Sequence, residues 1–319
     1  MQYVNVPGIS QPLSRLTYGT PWTACREDTR REAFLSYDMA WEAGYRTFDT
    51  AHSYGEGEST LGEWLASRGH RNEAVILDKG VNPGQKGSGD VFSARTVKEQ
   101  AEMSLRRLQT DHVEFYILHR DDPSRPVDEI VEALNDLKRE GKILYFGGSN
   151  WTYDRVTAAN DYARAQGLEG FSAVSPAYSL AQYIHDPWGG SVALSGEGQA
   201  AYRKWLSDTR LPVFCYSSLG RGYLSGKFRV GGEKSIEDSI PSAPIMEYDA
   251  PVNRERLMRA QELAEKKGVT VSQVCLAWLL HEPMNLFPIL APTSRAHIED
   301  SVKALELSLT DEERAWLLG

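Results

Sequence analysis

The sequence predicts an α/β protein folded as a (β/α)8 barrel, with eight parallel strands, helices outside and a site at the C-terminal face. Strand-length apolar runs alternate eight times with stretches of helical spacing. The runs are too uniformly apolar for one face to be wet, which is typical of a parallel sheet covered by helices. Eight such units in 319 residues fit a barrel better than an open sheet. No composition break marks a linker, so we expect one domain over residues 1–319.

The first four units occupy the N-terminal half of the chain. Their helices show apolar residues three and four apart, as in Val97, Ala101 and Leu105. The predicted strands are 13–19, 47–51, 74–79 and 112–119, followed by helices 29–43, 58–68, 96–108 and 127–139.

The other four units are less regular, because longer connections interrupt them. The predicted strands are 143–147, 170–175, 212–217 and 287–291, and the helices are 153–165, 199–207, 254–267 with 272–281, and 296–305, before a short segment at 310–318. The Gly-, Ser- and Pro-rich stretches 82–90, 186–198 and 230–252 follow strands three, six and seven. They fall on the face where barrel sites are built, although mobile surface loops would have the same composition.

Composition excludes several classes of function. The formal net charge of −9 offers no basic field for nucleic acid. No apolar run approaches the ~20 residues that span a bilayer, and the N-terminus does not resemble a signal peptide. The three cysteines are far apart and odd in number, which argues against a disulfide framework or a thiolate metal site. We therefore expect a cytoplasmic protein without membrane or nucleic-acid partners and without a metal.

Polar side chains stand at the ends of consecutive predicted strands. Asp49 ends the second strand with Tyr54 just beyond, Lys79 ends the third and His119 the fourth. In a barrel these positions converge on one mouth. A lone buried Asp or Lys is costly, so we expect Asp49 and Lys79 to pair. Any one of them could be an ordinary satisfied polar group, but the four together indicate a site.

This set of side chains suits proton transfer to a carbonyl oxygen. Tyrosine is a weak acid, and a nearby ammonium lowers its pKa while a carboxylate holds the ammonium in place. A neutral His119 could donate a hydrogen bond to the same oxygen. None of the side chains is a reductant, so a cofactor must supply the hydride.

The segment Gly44-Tyr-Arg-Thr-Phe-Asp-Thr-Ala-His-Ser-Tyr-Gly-Glu-Gly-Glu58 resembles the signature of the aldo-keto reductase superfamily, and the resemblance spans the whole chain. It implies that Asp49, Tyr54, Lys79 and His119 are a catalytic tetrad with Tyr54 as general acid/base. It also implies an NADP(H)-dependent oxidoreductase that reduces an aldehyde, ketone or sugar carbonyl, or runs the reverse reaction. The chain ends soon after its last helix, as in bacterial-type members with a short C-terminus.

The resemblance further implies an extended NADP(H) across the barrel mouth, without a Rossmann domain. The matching positions on the strands are Gly19 and Thr20 on the first and Asp49 on the second, with Ser149 and Asn150 near the nicotinamide carboxamide. Tyr216 would stack on the ring, and Ser217, Ser218, Leu219, Gly220 and Arg221 would lie over the pyrophosphate. Thr293, Ser294, Arg295 and Asp300 would surround the 2′-phosphate.

Two positions depart from the family pattern. Ser175 stands where a glutamine usually contacts the carboxamide, and its side chain is shorter. Ala291 and His297 stand where many members carry Lys and Arg, which leaves Arg295 as the expected cation for a 2′-phosphate. NAD(H) therefore stays open as an alternative cofactor.

The expected substrate contacts are Tyr54, His119, Trp22 and Trp151, with the loops around Trp188 and residues 229–252. Each tryptophan could equally be a packing residue. The partner is a small carbonyl or alcohol, and the sequence does not indicate an oligomeric state.

Rival interpretations remain. Residues 220–226 imitate a dinucleotide fingerprint, but with the wrong spacing and late in the chain. His119-Arg-Asp-Asp imitates a kinase triplet without an ATP loop, and Asp121 and Asp122 lack further metal ligands. A nucleotide-sensing regulatory subunit with slow turnover is one alternative function, against which the intact tetrad argues. A lyase with a Schiff base on Lys79 is another, against which the pairing with Asp49 argues.

Overall fold

The computed structural model describes residues 1–83 and 92–319, and the strands there form a parallel barrel preceded by a short hairpin. Nine short strands are hydrogen-bonded side by side in parallel. The strands are β1 (Tyr3–Val4), β2 (Leu13–Ser14), β3 (Thr17–Gly19), β4 (Thr47–Asp49), β5 (Val75–Gly80), β6 (Val113–Leu118), β7 (Ile143–Ser149), β8 (Ala173–Ser175), β9 (Pro212–Val213), β10 (Asn285–Leu286) and β11 (Ile289–Leu290).

Helices follow the strands in alternation and cover the outside of the barrel. The α-helices of the described residues are α1 (Arg30–Glu42), α2 (Gly57–Arg68), α3 (Ala94–Leu108), α4 (Asp128–Arg139), α5 (Tyr153–Gln166), α6 (Ala200–Thr209), α7 (Ser242–Tyr248), α8 (Pro251–Lys267), α9 (Val271–Leu280), α10 (Arg295–Lys303) and α11 (Asp311–Leu318). None of these helices is long and apolar enough to cross a membrane.

The barrel is closed by one segment near the end of the chain. Its first half, β10, pairs with β9, and its second half, β11, pairs with β3. The backbone N–H of Ile289 donates to the carbonyl of Cys215 at 2.8 Å, while the carbonyl of Pro288 accepts from Thr17 N–H at 2.9 Å. The same short segment therefore joins the two edges of the sheet, which confirms the (β/α)8 barrel.

Alternation along the strands separates two cores. On β5, Val75 and Leu77 point into the barrel with Phe115, Phe214 and Phe287. The opposite faces of the strands, together with the helices, form the larger core. Residues of the N-terminal hairpin and its loop, Val6, Ile9 and Leu13, belong to the inner cluster. They fill the end of the barrel away from the strand C-termini.

The structure reproduces the eight predicted units, with local differences. The first predicted strand is broken at residues 15–16, and the last begins two residues early and is interrupted at residues 287–288. Helix α7 lies in the stretch 230–252, which the sequence predicted as a loop. Residues 84–90 of the predicted loop 82–90 lie outside the described residues.

Candidate active site

A buried ion pair lies at the C-terminal end of the barrel interior. Asp49 ends β4, and Lys79 follows Val75 and Leu77 in the inward series on β5. Each side chain is about 5% exposed or less, and Lys79 Nζ donates to Asp49 Oδ1. Burial acts to lower the pKa of Lys79, but Asp49 and the nearby Tyr54 raise it, with a net upward shift. The lysine is therefore held as an ammonium by its partner.

A tight turn after β4 brings Tyr54 over this pair. The N–H of Tyr54 donates to Ala51 O, and Gly57 N–H donates to Tyr54 O, both at 2.9 Å. Gly55 has a φ of 56°, and a Cβ there would lie 2.5 Å from the carbonyl oxygen of Cys25, so the turn requires glycine. Lys79 Nζ lies 5.2 Å from the centroid of the Tyr54 ring.

His119 follows β6 and faces the same tyrosine. The two rings meet edge to face with centroids 5.7 Å apart. Ser53 Oγ lies 3.3 Å from His119 Nδ1, so its hydroxyl can donate there and leave the Nε2 proton for another acceptor. Asn82 Nδ2 donates to Ser53 Oγ at 3.4 Å. The structure thus brings together all four residues expected from the strand ends.

Electrostatics in this cluster favour a protonated tyrosine and a neutral imidazole. Loss of water raises the pKa of Tyr54, and the opposing effect of Lys79 is smaller. The lowering of the Tyr54 pKa expected from the sequence is therefore outweighed by burial. Burial first, and then Lys79 and Arg120, hold the pKa of His119 well below its ordinary value. Both groups can donate a hydrogen bond at neutral pH.

Two adjoining cavities open above the cluster. One, of about 830 Å³, is a groove lined by strand ends and by helix α10. The other, of about 1010 Å³, lies over Lys79 and His119. Both are lined by Trp22, Tyr54 and Tyr216. Trp22 is 78% exposed in a short 3₁₀ turn, Trp22–Cys25, and Trp188 is 50% exposed, so aromatic surface stands free at the mouth.

Most residues expected to hold a cofactor line one of these cavities. The groove includes Gly19, Thr20, Asp49, Tyr216, Ser217, Ser218, Leu219, Arg221 and Asp300. Ser149, Asn150 and Ser175 line the neighbouring cavity. The groove is also lined by the basic residues Arg26, Arg221, Lys227 and His297. An elongated space with hydroxyls, an aromatic ring and several cations fits a phosphate-containing dinucleotide.

A chain of hydrogen bonds links four residues near the strand ends: Tyr216, Asn150, Ser149 and Ser175. Tyr216 Oη donates to Asn150 Oδ1 at 2.6 Å, and Asn150 Nδ2 donates to Ser149 Oγ at 3.0 Å. Ser149 Oγ in turn donates to the carbonyl of Ser175, whose own hydroxyl donates to Phe214 O. The Ser175 hydroxyl is therefore hydrogen-bonded to the next segment of the barrel.

Some expected residues lie elsewhere. Trp151 is 1% exposed and packs edge to face on Phe171, so it does not line the cavity. Arg295 forms an exposed ion pair with Glu42 and does not line the groove. Gly220, Thr293 and Ser294 are also absent from the lining, and Ser294 instead caps α10. Thr293, Ser294 and Arg295 follow β11 directly, so the sequence predicted that they lie near the site but not where their side chains point.

Sequence reasoning missed several lining residues. Ser53 and Asn82 support His119, Arg120 follows it directly, and Lys227 lies beyond the loop at 217–221. The adjacency of Ser53 to Tyr54 and of Arg120 to His119 was a usable signal. Asp121, considered as a metal ligand, instead accepts two hydrogen bonds from Arg155 at 2.8 and 2.9 Å. Within residues 1–83 and 92–319, no group of three or more His, Cys, Asp or Glu residues could hold a metal.

The chemistry of this mouth defines a class of protein. Its side chains can move protons but cannot donate a hydride, which is the division of labour in oxidoreductases that take reducing equivalents from a bound cofactor. The chain belongs to the aldo/keto reductase family, whose sequence model matches residues 15–317.

Curated relatives agree with this membership. An uncharacterized oxidoreductase, YrpG, of Bacillus subtilis is 30% identical over 98% of this chain and 93% of its own length. The norsolorinic acid reductase stcV of Emericella nidulans is 29% identical over 94% and 75%. The aryl-alcohol dehydrogenase GME11368 of Pestalotiopsis microspora is 28% identical over 94% and 76%.

Proposed function

We propose that the protein is an NADP(H)-dependent carbonyl reductase that reduces an aldehyde or ketone to an alcohol, or runs the reverse reaction. The observation that carries this proposal is the convergence of Tyr54, His119 and the Lys79–Asp49 pair where the two cavities adjoin. A substrate carbonyl in the larger cavity would be within reach of both hydrogen-bond donors. The family membership and the names of the relatives support the same reaction type.

Tyr54 is the general acid for carbonyl reduction. Its raised pKa keeps the phenol protonated at neutral pH, so a proton is available for the developing alkoxide. Lys79 stabilises the phenolate left behind, because its ammonium lies beside the ring and is retained by Asp49. His119, neutral and supported by Ser53, donates a second hydrogen bond and orients the carbonyl.

The cofactor would lie in the groove, and when bound it supplies the hydride. Tyr216 presents its ring between the two cavities, and Asn150 and Ser149 lie beside it. The hydroxyls of Ser217 and Ser218 suit the pyrophosphate, since hydroxyls bind phosphate oxygens, and Arg221 lines the groove beside them while paired with Glu247. Lys227 and His297 support NADP(H) over NAD(H), whereas Arg295 is occupied by Glu42.

Substrate and compartment complete the proposal. The exposed rings of Trp22 and Trp188 provide apolar surface for an aromatic or aliphatic carbonyl compound. All three cysteines are free thiols, which suits the reducing conditions of the cytoplasm.

Replacement of the tyrosine tests the proposal directly. Tyr54→Phe should lower the rate of NADPH oxidation by a reactive aldehyde at least about a hundredfold, the usual contribution of a general acid. NADPH affinity, measured by fluorescence titration, should stay within a few fold, because the phenol acts in proton transfer. The readout is single-turnover absorbance at saturating NADPH.

Tyr162→Phe is the matched control. This tyrosine lies on α5, where its hydroxyl donates to Glu132, and it lines neither cavity. Its activity should equal that of the unaltered protein. Undiminished turnover in Tyr54→Phe would show that the acid has been misassigned, and absence of NADPH oxidation in the unaltered protein would sink the proposal.

A further inference from the structure

Arg120 brings a positive charge to the cavity that receives the substrate. It follows His119 at the end of β6 and lines the larger cavity with Trp188 and Tyr54. Its guanidinium is close enough to contribute to lowering the pKa of His119 and to oppose the rise in that of Tyr54. The charge therefore acts on the two groups that would bind the carbonyl oxygen.

The hydrogen bonds of Arg120 leave one edge of its guanidinium open. Nη1 makes two long contacts, to Gly189 O at 3.3 Å and to Ser191 Oγ at 3.4 Å. Within the described residues Nε and Nη2 have no hydrogen-bond partner, and no carboxylate lies within 4.0 Å of the group. The Nε–Nη2 edge is the fork that binds a carboxylate through two parallel hydrogen bonds.

The neighbouring acids are already engaged. Asp121, next in the chain, is held by both arms of Arg155. Asp186 accepts the backbone N–H groups of Trp188 and Ser191 at 3.1 and 2.8 Å. The other acid lining this cavity, Asp49, is paired with Lys79. Arg120 thus forms no ion pair among the described residues, although it lies near enough to Asp186 to help lower the pKa of that carboxyl.

The backbone of Arg120 is fixed even though its side chain is only half-buried. Trp151 Nε1 donates to the Arg120 carbonyl at 3.0 Å from inside the core. Asn150 Nδ2 donates to the preceding carbonyl, that of His119, at 3.1 Å. A guanidinium on such an anchored residue loses less freedom on binding than one on a mobile loop. This also gives buried Trp151 a function in positioning the residue next to the histidine.

We propose that Arg120 binds an anionic group of the substrate, so that the preferred carbonyl compounds carry a carboxylate. This inference rests on the proposed carbonyl reductase function and names its substrate class. The tryptophans would cover the body of the molecule, while Arg120 binds the carboxylate and His119 and Tyr54 bind the carbonyl. Hydrogen bonds to charged groups contribute roughly 1.5–3 kcal/mol, equivalent to about 10- to 150-fold in affinity.

Matched aldehydes test the inference. We expect kcat/KM for 3- or 4-carboxybenzaldehyde to exceed that for the corresponding methyl ester at least about tenfold, an advantage that falls at high salt. Arg120→Gln should remove the advantage, mainly by raising KM for the acid, while the ester changes less than about threefold. Arg120→Lys should restore part of it, because an ammonium keeps the charge but lacks the fork.

Arg125→Gln is the matched control, since it removes one positive charge from the same loop at a residue that pairs with Asp122 and does not line the cavity. It should preserve the preference for the acid. Equal kcat/KM for acids and esters, or a preference that survives in Arg120→Gln, would overturn the inference and leave the proposed function intact. Failure to reduce any of the aldehydes, benzaldehyde included, would remove the proposed function and this inference with it. NADPH affinity that is unchanged in Arg120→Gln would show that the variant is folded.

Discussion

Asp78 precedes Lys79 on β5, and the pleat directs it to the outer face of the strand. It is completely buried, and within the described residues neither of its carboxyl oxygens has a hydrogen-bond partner. Glu58 of α2 is also fully buried. One of its oxygens accepts a hydrogen bond from Arg107 at 2.9 Å, and the other has no partner among the described residues. Burial, followed by repulsion from Glu58, raises the pKa of Asp78 well above its ordinary value. We infer that the Asp78 carboxyl is protonated and neutral in the folded protein.

Asp78→Asn should therefore stabilise the protein increasingly as pH rises. The unfolded pKa is about 3.9 and the folded pKa is higher, so the unaltered protein loses stability as pH rises from about 4 towards the folded value, by up to ~1.4 kcal/mol per pH unit. An amide does not titrate and avoids this loss. Urea unfolding at pH 5, 6.5 and 8 measures the difference.

The exposed residue Glu262 on α8 supplies the control, because Glu262→Gln should change stability little and without a trend between pH 5 and 8. A difference between Asp78→Asn and the unaltered protein that is constant with pH would mean that Asp78 is ionised in the fold.

Residue by residue, the sequence predicted the groups whose burial demands a partner. Asp49 and Lys79 were predicted to pair because neither can be buried alone. The directions of long surface side chains were not predictable, since Arg295 finds an ion-pair partner in Glu42 at the surface. The sequence predicted that Lys79 lowers the pKa of Tyr54. It could not show that burial raises this pKa by more, because that depends on how much water the fold excludes.

At the scale of elements, close contact between α2 and α3 sets the position of the tyrosine turn. Gly62 of α2 faces the last residue of α3, and a Cβ there would lie 2.6 Å from the carbonyl carbon and oxygen of Leu108. Backbone atoms cannot yield as a flexible side chain would. Helix α2 begins three residues after Tyr54. The distance between α2 and α3 therefore fixes where the turn that carries Tyr54 ends.

Gly62→Ala should destabilise the fold by roughly 1–3 kcal/mol, the usual effect of overpacking a filled interface. Thermal or urea unfolding measures the loss. The paired variant is Gly198→Ala, at a glycine with open space around it, and should change stability by less than about 0.5 kcal/mol. Equal stability of the two variants would show that α2 can move outward freely.

Elements with strong periodicity were predictable, and those created by tertiary contact were not. The helix from Ala94 to Leu108 was predicted within two residues at its start, because its apolar residues recur on one face. Helix α7 has seven residues with Pro244 in its first turn, which reads as a loop signal. The interruption at residues 287–288 arises because the segment changes pairing partners there, which only the closed barrel shows.

For the molecule as a whole, the groove joins strand ends from the start and the end of the chain. Gly19 and Thr20, at the end of β3, line it together with Leu290 and Pro292, at the end of the neighbouring β11. A nucleotide bound there would contact segments that are adjacent only in the closed barrel. It would therefore bind the folded state alone and stabilise it by mass action.

NADPH should raise the melting temperature by a few degrees at a hundredfold excess over Kd, corresponding to about 2.7 kcal/mol. NADH at the same concentration should raise it less, because Lys227 and His297 favour the additional phosphate. Differential scanning fluorimetry with both nucleotides measures the gap between the two shifts in melting temperature.

Lys227→Ala should narrow the gap, while Lys234→Ala, at an exposed lysine seven residues along that does not line the groove, should preserve it. Equal shifts with NADPH and NADH in the unaltered protein would contradict the cofactor preference.

The segment that closes the barrel also sets a time order for synthesis. Chains emerge from the ribosome N-terminus first, and Asn285–Leu286 and Ile289–Leu290 are among the last strands to appear. Until they do, β3 and β9 are open sheet edges, and the groove lacks the wall formed by residues 289–292. A nascent chain therefore cannot use the nucleotide as a folding template. Between the synthesis of Val213 and that of Leu290, both edges are therefore open to pairing with other strands.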